Sequence, residues 1–94
     1  MREEFKIIGT YDGRTPSNKD GYFMFYVQTT KSKKSNPDGL KAISIPFQGN
    51  IKVADKLKEV SNGDIITVFF DITTKNGKDI IYVNLLAFDI EKTT

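Results

Sequence analysis

The 94-residue sequence has no cysteine, no histidine and no tryptophan. Without cysteine, neither a disulfide nor a thiolate metal site contributes to the fold. Without histidine, the commonest general base and the commonest imidazole ligand are gone, leaving carboxylates, lysines and tyrosines for any chemistry. No paired-carboxylate, nucleophile or metal-ligand constellation is visible. Asp12, Asp20, Asp38 and Asp79 sit near turns, where aspartate is a turn former, and their spacing fits no calcium loop. An enzyme is therefore the least expected class, and neither a cofactor nor a metal is expected. Long apolar runs are missing too: no segment approaches the roughly 18 residues that a membrane span needs. The start, MREEFKIIGTY, enters an alternating pattern without the apolar core of a signal peptide. A cytoplasmic location with no membrane partner is the expectation. The net charge of +2 excludes a histone-like polycation, though not basic groups gathered on one side.

Aromatic residues are plentiful, with seven phenylalanines and four tyrosines. They concentrate in GYFMFYVQTT, residues 21–30, where period-2 alternation puts Phe23, Phe25 and Val27 on one face and Tyr22, Met24 and Tyr26 on the other. A small barrel has no room inside for two aromatic stripes. The fully apolar set is expected inward. Tyr22, Met24 and Tyr26 are then left on an outer face, where a ring with a hydroxyl suits contact with both water and a partner.

Along the chain, strand one is expected over Glu4–Tyr11, with Gly9 marking a bulge or sharp bend. DGRTPSNKDG, residues 12–21, is a loop rich in turn formers, and KSKKSNPDG, residues 31–39, is a second. LKAISIPFQ forms strand three, with Lys41, Ile43, Ile45 and Phe47 on one face. Asn50 caps an amphipathic helix of about ten residues whose buried stripe is Val53, Leu57 and Val60, stopped at Gly63. Strands near Asp64–Thr73 and Asp79–Glu91 are joined through TKNGK, where Asn76-Gly77 signals a hairpin. The whole of residues 1–94 is expected to be one domain, all-β with one short helix. Five antiparallel strands with the helix between strands three and four match the order of the oligonucleotide/oligosaccharide-binding (OB) barrel; an SH3-like barrel would not need that helix.

The cations are distributed to suit such a barrel. Seven of the fourteen lysines and arginines fall in loops that would border the outer aromatic face: Arg14, Lys19, Lys31, Lys33, Lys34, Lys75 and Lys78. Lys41, on strand three, adds to them. An aromatic floor with cationic walls can hold the bases and the phosphates of one strand together. Each feature also has a plainer explanation: aromatic strands are more often core packing, and a lysine run is usually a solvated loop.

The segments FKIIGTY, GYFMFYVQTT, KAISIPFQGNIKVADKLKEVSNGDIITVFF and IIYVNLLAFDIE resemble the short OB-fold single-stranded DNA-binding proteins of phage, plasmid and bacterial replication. The resemblance is one of layout. It implies a non-catalytic, sequence-tolerant binder of single-stranded DNA serving replication or recombination, with bases stacking on Tyr22, Tyr26, Phe47 and either Phe69 or Tyr82. The chain stops at DIEKTT, where bacterial housekeeping members carry a long acidic tail, so recruitment of replication or repair enzymes by that route is not expected. Homo-oligomerisation, a dimer first, is expected because one small domain offers limited contact with a strand. The alternatives are an OB-fold protein-interaction module and an RNA-binding OB domain. Gly21, Tyr22 and Tyr26 faintly resemble the RNA-binding strand of cold-shock proteins, but Phe23 stands where that motif has a small residue.

Overall fold

The computed structural model describes residues 5–33 and 36–93, and the side chains among them apart from those of residues 30–42. Five strands and one helix follow in the expected order: β1 (Phe5–Arg14), β2 (Phe23–Lys33), β3 (Asn36–Gly49), α1 (Ile51–Leu57), β4 (Ile65–Asn76) and β5 (Ile81–Lys92). They close into a barrel in the spatial order β1-β2-β3-β5-β4. β1 serves two neighbours. Its first half pairs with β4, from Phe5 opposite Phe70 to Thr10 opposite Ile65, and its second half pairs with β2 from Thr10 onward.

Gly9 sits just before that handover. A Cβ there would lie 2.5 Å from Val27 Cγ1 and 2.7 Å from the Gln28 carbonyl oxygen. The glycine therefore permits close approach of two backbones at the bend. The bulge itself comes later, between Tyr11 and Arg14, where Gly13 has a φ of +97°.

The alternation read in β2 is observed. Phe25 and Val27 are fully buried and Phe23 is 4% exposed. Aromatic rings then run through the barrel as a ladder. Phe23 meets Phe25 at 5.8 Å, Phe25 stacks on Phe47 at 5.5 Å, Phe47 meets Phe70 edge-on at 5.1 Å, and Phe70 stacks on Phe5 at 5.9 Å. Ile66 and Val68 of β4 and Ala87 and Ile90 of β5 complete the interior. Ala87 and Ile90 cannot share a face by strict alternation. A bulge resolves this: Phe69 pairs with Asp89 and Phe70 with Ala87, leaving Phe88 as the extra residue.

α1 plugs one end of the barrel with Val53 and Leu57, both buried. The Asn50 side chain accepts from the Val53 N–H at 3.1 Å, as its position predicts. The helix has seven residues, fewer than expected. After Leu57 the chain tightens into three-residue-spaced bonds, from the N–H of Glu59 to the Lys56 oxygen and from that of Val60 to the Leu57 oxygen. The reason lies in β1. The Gly63 N–H donates to the Tyr11 carbonyl, and the Tyr11 N–H donates to the Asp64 carbonyl, both at 2.9 Å, so the chain must unwind to reach them.

Both hairpins are longer than the sequence suggests. The expected loop at 31–39 is largely taken up by β2 and β3: Lys31 lies opposite Lys41, Ser32 opposite Leu40 and Lys33 opposite Asn36, with a register irregularity between Ser32 and Lys33. Once the register is set in the core by Phe25 opposite Phe47, backbone donors and acceptors continue to satisfy one another outward. At the other hairpin Asn76 pairs with Ile81, and the Gly77 N–H donates to the Ile80 carbonyl at 2.7 Å across a four-residue loop. The barrel thus carries two projecting β-arms.

Candidate nucleic-acid interface

The outer face of β2 and β3 is built by register. Met24 lies opposite Gln48 and Tyr26 opposite Pro46, all four facing away from the phenylalanine ladder. β5 reaches this surface where Gln48 meets Leu86. Three adjoining recesses result. The first, about 350 Å³, lies between the β1–β2 loop and β2, against Thr15, Asn18, Tyr22, Met24 and Gln48. The second, about 370 Å³, is walled by Met24, Pro46, Gln48, Val83, Asn84 and Leu85. The third, about 250 Å³, runs from Tyr22 and Gln48 to Asp71 and Phe88. Shared walls make them one trough across β2, β3 and β5.

Tyr22 stands at the head of this trough, 48% exposed. Its position is set by Asn18. The Asn18 side-chain oxygen accepts from the Tyr22 N–H at 3.0 Å and from the Asp20 N–H at 2.9 Å, while the Asn18 N–H donates to the Tyr22 carbonyl at 2.8 Å. Gly21 makes the reversal at φ +85°, and a Cβ there would strike Ile51. Thr15 pins the loop's other end: its hydroxyl accepts from the Met24 N–H at 3.0 Å, and its own N–H donates to the Met24 carbonyl at 2.8 Å. The loop is thus held by its own bonds. Asn18→Ala should loosen Tyr22, costing about 1 kcal/mol of stability and lowering affinity for a stacked ligand severalfold; thermal unfolding and ligand titration read the two effects.

The other sequence-derived residues divide. Met24 and Tyr26 are half-buried on the outer face, as expected of that stripe. Tyr82 is 53% exposed on the β4–β5 arm, opposite Lys75, with its ring near Gly77. It lines none of the three recesses, although Asn84, two residues further along β5, lines the second. Phe47 is a correction: it is fully buried between Phe25 and Phe70 and presents no ring to a ligand. Phe69 lies elsewhere, half-buried on the β1–β4 side opposite Lys6 of β1 and Asp89 of β5; like Tyr26 and Tyr82, it lines none of the three recesses.

Among the cations, Lys19 is exposed on the β1–β2 loop, and Lys75 and Lys78 are exposed at the β4–β5 hairpin. Within the described residues none of these three enters an ion pair. Arg14 is engaged: its guanidinium lies 3.9 Å from the Phe23 ring centroid and donates to Ser17 Oγ at 2.7 Å. Lys31, Lys33 and Lys41 occupy paired positions on the β2–β3 arm, but their side chains lie outside the described residues, as does Lys34 altogether. The paired lysines point to other parts of the surface. Lys56 of α1 bonds Asp89, and Lys92 bonds Asp64 at 3.3 Å. The Lys56 hydrogen bond holds the Asp89 carboxyl below its ordinary range, and the Ser61 N–H, with Lys92, does the same for Asp64.

Sequence reasoning missed Gln48, Pro46, Val83 and Asn84. Putting Phe47 inward would have turned its neighbours Pro46 and Gln48 outward. Val83 and Asn84 enter the trough only because β3 meets β5, a contact that no local pattern announces.

Neither a family model nor a curated relative matches the sequence. Solved structures do. A small single-stranded DNA-binding protein from Mycoplasma pneumoniae aligns with a TM-score of 0.68 at 14% identity, over 99% of this chain and 96% of that one. The chain has the OB fold. A mitochondrial single-stranded DNA-binding protein from S. cerevisiae matches this OB barrel with the same TM-score and identity, over 97% of this chain and 94% of its own. The dimeric N-terminal domain of the PriB protein from Thermoanaerobacter tencongensis gives 0.62 at 12%, over 97% and 96%.

Proposed function

We propose that this chain is a non-catalytic protein that binds single-stranded DNA with little regard to sequence, in replication or recombination. Bases stack on Tyr22 and Tyr82 over a floor of Met24 and Tyr26. Phosphates are held by Lys19, Lys75 and Lys78, with Arg14, Lys31, Lys33, Lys34 and Lys41 contributing. The observation that carries this reading is the half-exposed Tyr22 ring, fixed by Asn18 at the head of a trough that crosses β2, β3 and β5. In OB barrels that strand face and its bordering loops take oligonucleotides. The solved structures of similar fold include proteins described as binding single-stranded DNA, which supports the choice of ligand.

Anisotropy titration of a labelled thymidine oligomer at two salt concentrations tests it. One domain should cover roughly 4–16 nucleotides, and log K should fall with log salt at about −0.7 per phosphate neutralised. A flat salt response, or equal affinity for duplex, would overturn the reading. Matched RNA and DNA oligomers decide between the two nucleic acids.

The assembly we propose is a homodimer in the cytoplasm. Ile8 is 61% exposed and Ile65 42% on the β1–β4 side, where Phe69 also faces outward. A second copy would cover these side chains, and the PriB domain of similar fold is described as dimeric. A protein-interaction role keeps one specific support: Ile72, Ile80, Ile81 and Val83 are exposed along the β4–β5 arm.

A further inference from the structure

One polar side chain is shared by every part of the trough. Gln48 lines all three recesses. Its direction is fixed, because Phe47 points into the barrel and the next residue must point out. It is half-buried, and among the described residues its amide makes no side-chain hydrogen bond. Two of the other polar groups nearby are committed: the Thr15 hydroxyl binds the Met24 backbone, and the Asn18 oxygen accepts from two N–H groups. Asn84 brings a second amide, on the exposed wall of one recess, while the side chains of Met24, Pro46, Val83 and Leu85 supply no partner beyond the weak thioether of Met24. The floor therefore holds an amide whose donors and acceptor are available to a ligand.

We propose that Gln48 hydrogen-bonds the exposed edge of a base lodged in the trough, and that it tolerates all four bases by turning its amide over. This inference rests on the single-stranded DNA reading. A primary amide carries a donor and an acceptor side by side. Adenine and cytosine offer an amino donor beside a ring-nitrogen acceptor; guanine and thymine offer a carbonyl acceptor beside a ring N–H. One orientation of the amide matches the first pair, and the flipped orientation matches the second. Phosphate contacts cannot make that distinction between an available base edge and one already paired in duplex. Gln48 thus supplies preference for unpaired bases without preference among them.

The test is anisotropy titration of labelled dT, dC and dA oligomers with the wild-type protein, Gln48→Met and Gln48→Glu. Methionine keeps the length and removes the strong donors and acceptor. It should weaken binding about fivefold or more, by a similar factor for all three oligomers. Glutamate offers acceptors only. It should weaken binding of all three oligomers, because each base edge sets one acceptor beside its one donor and the carboxylate can answer only the donor. If Gln48→Met or Gln48→Glu binds all three as the wild type does, or if Gln48→Met weakens one oligomer and spares the others, the proposal is overturned. The single-stranded DNA reading then survives, because wild-type binding in the same titration reports on it alone. Wild-type protein that binds none of the oligomers would overturn both.

Discussion

Phe47→Ala should cost about 3–5 kcal/mol of folding stability, the range for truncating a buried aromatic. Phe47 is fully buried, stacked on Phe25 at 5.5 Å and edge-on to Phe70 at 5.1 Å. It is the middle rung of the ladder, so its loss leaves a cavity between two rings that cannot both collapse into it. A domain of this size has about 5–15 kcal/mol in total. At about 4–8 °C per kcal/mol, the melting temperature should fall by 12 °C or more. Circular dichroism melts read this directly. A base-stacking residue behaves in the opposite way, since its removal leaves the melting curve in place and weakens the ligand. A Phe47→Ala protein with an unchanged melt and lost DNA affinity would return this ring to the interface.

That contrast also marks where sequence and structure part. The order of elements, the inward set Phe23, Phe25 and Val27, and the Asn50 cap are all local: each depends on residues within a few positions of one another. They could be read. Phe47 was ambiguous because family layout pointed to a stacking role, whereas burial depends on where β3 crosses the barrel. The phase of β5 could not be read either, because the bulge at Phe88 shifts every side chain beyond it, and bulges answer to the partner strand. The β2–β3 arm was hidden for a different reason. KSK has no apolar face to create a period, yet its backbone pairs with β3 because the strands below it already do. The trough combines both kinds of information. Its aromatic members were legible from one strand, while its amides needed the register of Met24 with Gln48 and the meeting of β3 with β5.

Tyr22→Ala should weaken single-stranded DNA binding by about 5- to 150-fold, corresponding to roughly 1–3 kcal/mol for one stacked base. The fold should barely notice. Tyr22 is nearly half exposed, and the hydrogen bonds that hold it there use its backbone rather than its ring. Alanine leaves those bonds in place, so the melting temperature should stay within a few degrees, as for most surface substitutions. Tyr22→Phe keeps the stacking face and should keep most of the affinity, which separates stacking from any role of the hydroxyl. Tyr26→Ala is the harder case. That ring is half-buried opposite Pro46, so its loss should appear in both affinity and melting temperature. The salt slope discriminates further. A ring contributes stacking and not charge, so Tyr22→Ala should shift the line of log K against log salt downward without changing its gradient. A changed gradient would mean that the phosphates had moved with the base. An unchanged affinity would mean that the bases lie somewhere other than on the face Asn18 presents.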